Sequence, residues 1–238
     1  MERLKVKLYE KKHKETGKDY AYRVLKDNIM SIQLKPGDLL SESDLSQKLN
    51  ISRTPIREVL MKLKAEHLIE VKPQSGTYIS LIDWNLIEEA IFMRYTLEKE
   101  VLKEACESFP DEILMELEKN IFAQSLIIDK EDNDIEFHAL DKEFHKLLFL
   151  GTNKVHIWES ITSLSTHYNR MRLLSEMKSN KKQIIEQHRI YIDMIKNKSK
   201  NGIEEVIESH IKSPLKGWDL MIEERDDLKF YIKNKKIK

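Results

Sequence analysis

Residues 51–63 read ISRTPIREVLMKL, a polar turn and a proline set directly before an amphipathic run. Thr54 is a suitable N-cap. Pro55 suits the first helical position, because its ring presets φ and its missing N–H would have no intrahelical partner there. Ile56, Val59, Leu60 and Leu63 then line one side of a helix that the spacing carries to about Glu66. Arg53 and Arg57 sit at the end where the backbone dipole already supplies positive charge. Cations at that end make sense if it faces a polyanion.

The flanking sequence supplies the rest of a motif. Upstream, Tyr22, Leu25, Ile29 and Ile32 recur at helical spacing until LKPGD stops the pattern. Ser41 and Asp44 form a capping box for a short helix ending near Leu49, and NIS is a tight turn. Two short helices across that turn predict a helix-turn-helix. Downstream, LIEVKPQSGTYISLI alternates apolar and polar residues on both sides of KPQSG. That spacing predicts a hairpin with strands Leu68–Lys72 and Thr77–Leu81. Helix-turn-helix followed at once by a hairpin is a winged helix, whose second helix presents its N-terminal residues to the major groove. Arg53 and Arg57 are then candidates for guanine or phosphate, and Ser52 and Thr54 for phosphate oxygens. Lys72, Gln74, Ser75 and Thr77 are candidate wing contacts.

Composition agrees. Six Gly and five Pro in 238 residues leave little material for a turn-rich β fold, and 34% charged residues suits much solvated helix. The single cysteine, Cys106, excludes a disulfide framework and a Cys-based zinc finger. The N-terminus lacks a signal-type apolar core and no run approaches membrane-spanning length, which predicts a cytoplasmic protein. The net charge of zero hides an asymmetry. Residues 1–80 hold 16 Lys and Arg against 11 Asp and Glu, and residues 81–238 hold 25 against 30. A basic first third joined to an acidic remainder fits a nucleic-acid-binding module attached to something else.

The run YRVLKDNIMS…LKPGDLLSESDLSQKLNISRTPIREVLMKLKAEHLIEVKPQSGTYI resembles the GntR-family DNA-binding domain over nearly all of residues 20–82. Two positions depart from it. Ile32 stands where the family commonly has glycine, and Ser43 where an arginine often contacts phosphate. Residues 1–18, rich in lysine, precede the usual start of the family. They read either as a disordered arm with nonspecific affinity for DNA or as a solvated tail.

From Trp84 onward the periodicity predicts six helices: 87–108, 111–128, 135–150, 155–176, 181–197 and 202–225. Breaks come at FPDE, DKEDND, GTNK, KSNKK and KSKNG. The expected fold is therefore mainly α: an N-terminal winged helix-turn-helix, then an all-α bundle of about six helices. The expected division is a basic arm at 1–18, a winged domain at 19–82, a bundle at 83–226 and a Lys-rich tail at 227–238. Whether that tail is a frayed helix or lies near DNA is left open.

One constellation in the bundle carries chemistry. Asp141 and His145 are four apart on one helix, and His188 and His210 lie on two others. Three helices can thus aim one carboxylate and three imidazoles at a common centre, a ligand set for Zn²⁺, Ni²⁺, Mn²⁺ or Fe²⁺. His138, one turn before Asp141, competes. His13, His67, His156 and His167 read as surface or structural.

RYTLE, DKEFHKLLF…GTN, EQHRIYIDMI and ESHI resemble the FCD ligand-binding domain that follows the DNA-binding domain in one GntR branch. In many members, residues matching Asp141, His145, His188 and His210 hold a metal. The resemblance further implies a small effector, usually a carboxylic acid, completing the coordination, with an Arg on its other end. Arg94, at the family's R…LE position, is the first candidate for that grip and Arg172 the second.

Together these readings predict a cytoplasmic transcription regulator, of repressor type, bound as a homodimer to a palindromic DNA operator and modulated by a carboxylate at a divalent metal. The alternatives are a metal that is itself the signal or purely structural and, remotely, a metal-dependent hydrolase. No HExxH-like base supports the hydrolase, so an enzyme is not expected.

Overall fold

The computed structural model describes residues 5–130, 133–176, 181–224 and 226–235. The first four residues of the arm, the last three of the tail and parts of the DKEDND and KSNKK breaks lie outside these. The chain divides into two compact units: residues 1–87, 166–170 and 225–238 form one, and residues 88–165 and 171–224 the other.

In the first unit α1 (Gly17–Met30), α2 (Glu42–Leu49) and α3 (Arg53–Ala65) pack with a small antiparallel sheet. Val24, Leu25, Ile29, Leu45, Ile56, Val59, Leu63 and Ile79 fill the shared core. Burial of that apolar face, at roughly 25 cal/mol per Å², holds helices too short to persist alone. Strand β3 (Gly76–Ile79) is central. It pairs with β2 (Ile69–Lys72) on one side, Ile69 opposite Ile79, and with β1 (Leu39–Leu40) on the other. A two-residue strand shows no alternation, so β1 has no sequence signal.

Local chemistry sets the turns. Asn50 adopts left-handed φ 53° after α2, and Ser46 Oγ donates to Ile51 O across the turn. Helix α3 begins two residues before the expected start, with Ser52 rather than Thr54 in the extended N-cap conformation. Pro55 is the third helical residue. It is tolerated there because first-turn N–H groups have no intrahelical acceptor. The glycine departure also has a structural counterpart: α1 stops before Ile32, which takes φ 60°. A β-branched residue holds that left-handed conformation only at a cost of order 1 kcal/mol or more. Two bonds secure the turn, Ile32 N to Ile29 O and Leu34 N to Asn28 O.

The arm is neither disordered nor merely solvated over residues 5–16. Val6 and Tyr9 pack on the core. The fully buried Asn28 accepts from Lys7 N at 2.7 Å and donates to Lys7 O at 2.9 Å and Val24 O at 2.7 Å. Tyr20 Oη donates to Tyr9 O, and Arg23 grips Glu10 O and the Glu15 carboxylate.

The tail is also ordered. After a 3-10 turn at Asp226–Tyr231, β5 (Ile232–Lys233) pairs in parallel with β4 (Ile82–Asp83). Residues 226–235 are thus a turn and a strand, not a frayed helix.

The predicted helix 155–176 is two helices, α7 (Val155–Leu164) and α8 (Thr166–Glu176), so the described residues beyond the wing form seven α-helices where six were expected. Buried Ser165 leaves the α conformation between them. No Gly or Pro marks this break. Its cause is tertiary: Thr166 Oγ1 donates to Glu66 O, and the His167 ring lies between Asp83 N and His67 O, 2.9 Å from each. Because Nδ1 accepts from Asp83, Nε2 carries the proton given to His67 O. Burial, with Arg170 beside it, pushes the His167 pKa down to about 3.

The second unit contains most of α4 (Trp84–Glu107), then α5 (Asp111–Ile127), α6 (Asp134–Gly151), α7, the rest of α8, α9 (Lys181–Lys196) and α10 (Ile203–Glu224). Phe109 presses against the end of α6 so closely that a β-carbon on Gly151 would lie 2.2 Å from its ring. A larger residue would fit there only if the half-buried Phe109 ring moved. Among the described residues no helix is long and apolar enough to cross a membrane.

Two outcomes follow for stability. Asn28→Ala strips both polar atoms of Lys7's backbone of their partner, and urea denaturation should show a loss of about 2 kcal/mol. His167 is neutral when folded but binds a proton near pH 6.5 when unfolded. Its contribution is therefore complete above pH 6.5 and is lost as pH falls toward about 3. His167→Gln should flatten the acid limb of a stability–pH curve by up to about 1.4 kcal/mol per pH unit in that window.

Candidate metal centre and DNA-contacting surface

In the second unit α6 supplies Asp141 and His145, α9 His188 and α10 His210. All four are buried, and their ligand-type atoms lie within 4.8 Å of one another. Two ligand atoms each about 2.1 Å from one ion stand at most about 4.2 Å apart, so the set is only slightly wider than an occupied site needs.

Each imidazole is oriented from behind. Glu98 Oε2 on α4 lies 2.9 Å from His145 Nδ1. Gln124 Oε1 on α5 lies 3.2 Å from His188 Nδ1, and Gln187 Oε1 on α9 lies 3.0 Å from His210 Nδ1. The amides are themselves fixed. Leu140 O accepts from Asn120 Nδ2, so Asn120 Oδ1 faces Gln124 Nε2 at 2.7 Å, which turns Gln124 Oε1 toward His188. Gln187 Nε2 donates to Ser209 Oγ in the same way.

His188 Nδ1 and His210 Nδ1 face amide oxygens and His145 Nδ1 faces the Glu98 carboxylate, so all three Nε2 atoms point inward. His145 Nε2 and His210 Nε2 are 3.0 Å apart, and His188 Nε2 is 3.6 Å from Asp141 Oδ1. Acceptors facing acceptors in a dry interior repel unless a cation lies among them. Burial pushes His188 down to about 3 and His210 well below its usual value, so neither ring supplies that cation by protonation. The residues present therefore fit a divalent metal.

Carboxylates and arginines balance around the cluster. Burial alone would raise Glu98 and Asp141, but the arginines beside them more than offset it. Arg94 helps hold Glu98 at about 2, and Arg172 helps hold Asp141 well below the carboxylate range. Arg94 Nε donates to Glu98 Oε1 at 2.6 Å, and Arg172 Nη1 lies 2.8 Å from Asp141 Oδ2. Both candidate effector arginines thus already engage a protein carboxylate. His138 is half-buried and is not among the four converging residues. Pro214 in α10 withholds the N–H that would close on the His210 carbonyl, loosening the helix beside one ligand. Sequence reasoning missed Glu98, Gln124 and Gln187, although RYTLE contains Glu98 and Gln187 directly precedes His188.

In the first unit Ser52, Arg53, Thr54 and Arg57 are exposed at the start of α3, and Lys72, Gln74 and Ser75 on the wing turn; Thr77 is half-buried. Helix α2 has an N-cap bond from Ser41 and acids in its first turn, whereas α3 has neither. That leaves its N-terminus suited to phosphate. Arg57 rests on Glu42 at 2.7 Å in an exposed pair, which costs little to exchange for DNA. Gln74 holds φ 62° at the wing tip, and Lys72 covers the Tyr78 ring.

A winged helix-turn-helix joined to a helical unit with a buried Asp/His₃ cluster is the architecture of a DNA-binding regulator. Residues 89–213 match the FCD domain and residues 18–79 the gntR family of bacterial regulatory proteins. The chain belongs to the FCD branch of the GntR family, and it is a transcription regulator, not an enzyme. It is 28% identical over 192 residues to the HTH-type transcriptional repressor RspR of Escherichia coli, covering 80% of this chain and 84% of that one. It is 27% identical over 183 residues to the gluconate operon transcriptional repressor of Bacillus licheniformis, covering 74% of each. E. coli McbR/YncC shares the fold, with a TM-score of 0.72 at 20% identity over 87% of this chain and 98% of that one.

Glu98→Gln keeps the shape but replaces the carboxylate behind His145 with a weaker acceptor. Zinc affinity of chelator-treated protein, read by competition with a chromogenic chelator, should fall about 10- to 100-fold with helicity unchanged.

Proposed function

We propose that the protein represses transcription by binding a palindromic operator as a cytoplasmic homodimer, and that a small carboxylate bound at a divalent metal in the bundle modulates this affinity. Ser52, Arg53, Thr54 and Arg57 would read and grip the major groove, with Lys72, Gln74, Ser75 and Thr77 on the flanking backbone. Asp141, His145, His188 and His210 would hold zinc, nickel, manganese or iron(II). The observation that carries the metal is the inward convergence of acceptors whose outer nitrogens are already committed to Glu98, Gln124 and Gln187. When bound, the ion supplies a positive centre at which an effector carboxylate can complete the coordination. Arg94 and Arg172 would take the effector's far end by exchanging Glu98 or Asp141 for it. Dimer formation is supported by exposed Met115, Phe122 and Leu126, which share one face of α5. Repressor-named relatives support the direction of control.

The engagement of both arginines with protein carboxylates favours a second reading, in which the metal alone is the signal or a structural pin. Elemental analysis with light scattering on protein purified without chelator separates these ideas. About one metal per subunit at twice the subunit mass is expected, with metal lost in His188→Ala. Well-folded wild type that takes up no divalent ion would sink the metal site; operator affinity that tracks metal and ignores every organic acid would establish the second reading.

A further inference from the structure

The positive charge of the DNA-binding unit is unevenly placed. Residues 19–80, the winged helix proper, hold nine Lys and Arg against eight Asp and Glu, whereas residues 1–18 hold seven against three. A nearly neutral winged helix has little long-range pull on a polyanion. The excess sits in the segment that precedes the fold.

That segment is fixed in place. The reciprocal bonds of Asn28 with Lys7, the Tyr20 bond to Tyr9 O and the Arg23 clasp on Glu10 and Glu15 hold it along α1. A turn closed by Glu15 N to Lys12 O then delivers it to the start of α1. This end of α1 adjoins the recognition helix: a β-carbon on Gly17 would touch Ile51 at 3.7 Å, and Lys18 pairs with Glu58 of α3. Lys11, Lys12, His13 and Lys14 are all exposed there. The nearby acid Glu15 is spent on Arg23, which holds its carboxyl at about 2.

We propose that residues 11–14 form a second DNA-contacting element, whose lysines take backbone phosphates of the duplex beside the groove entered by α3. Phosphate is the partner the chemistry selects: flexible ammonium groups on a well-anchored turn make charge contacts and carry no base code. The element adds affinity and association rate rather than sequence preference. It rests on α3 being the groove-facing helix.

The test uses the full chain and a fluorescent 30-base-pair duplex of random sequence, titrated between about 50 and 200 mM NaCl. Each phosphate contact contributes about 0.9 to the slope of log affinity against log salt. The variant Lys11→Ala/Lys12→Ala/Lys14→Ala should lower that slope by about 2 or more per bound subunit and weaken binding at least tenfold at low salt, with an unchanged melting curve. Lys233→Ala/Lys235→Ala removes equally basic residues, one paired with Asp83 and one over Trp84, and should leave the slope close to wild type. An unchanged slope in the arm variant, or an equal fall in the tail variant, would overturn the proposal. Arg53→Ala/Arg57→Ala separates the two claims: if it binds like wild type, the reading of α3 fails, whatever the arm does.

Discussion

The second unit is organised around lone pairs that must not face one another unaided. Three imidazoles turn Nδ1 toward Glu98, Gln124 and Gln187, so their Nε2 atoms meet in a dry centre with Asp141. Helices α4, α5, α6, α9 and α10 each contribute a ligand or its support. The arrangement therefore constrains the relative rotation of five helices, which apolar packing alone would leave less sharply defined. The supports differ in kind. Two are neutral amides; the third is a carboxylate shared with Arg94. His145 is thus the one ring backed by a negative charge, and Glu98 connects it to the buried Arg94.

Much of the first unit was legible in the sequence because its signals are local. Pro55 beside Thr54, the Ser41 box and the alternation around KPQSG each constrain backbone within a few residues. Errors arose where tertiary bonds decided. The start of α3 shifted by two residues because Ser52, not Thr54, takes the extended conformation. The break at Ser165 has no sequence mark, since bonds from Thr166 and His167 to residues about 100 positions away create it. The arm read as unstructured because its anchor, Asn28, looks like any polar residue on a helix until Lys7 is placed against it.

The four ligand-type residues could be picked out because His and Asp are few and fall on separate helices. Their supports could not. Gln124 and Gln187 are ordinary helix residues, and only the fold shows which amide backs which ring. Glu98 was within a quoted motif, yet i,i+4 spacing to Arg94 reads equally well as a surface pair. Burial of both side chains converts that pair into part of the centre.

Arg170 and Arg172 show why burial alone does not define a role. Both lie on α8 and both are buried. Arg172 meets the Asp141 carboxylate, so its charge is compensated and it holds a ligand-type oxygen in place. Arg170 donates to Ser80 O and Ser80 Oγ, with no carboxylate pairing among the described residues, and burial lowers it to about 9. It therefore remains charged at neutral pH while relying on a carbonyl, a hydroxyl and the His167 Nδ1 lone pair. Such a cation tolerates little displacement, because any lost hydrogen bond leaves charge in a dry interior. The first turn of α8 is accordingly held tightly to the residues that follow the wing. Two positions apart on α8, Arg170 is thus committed to Ser80 and Arg172 to the Asp141 carboxylate.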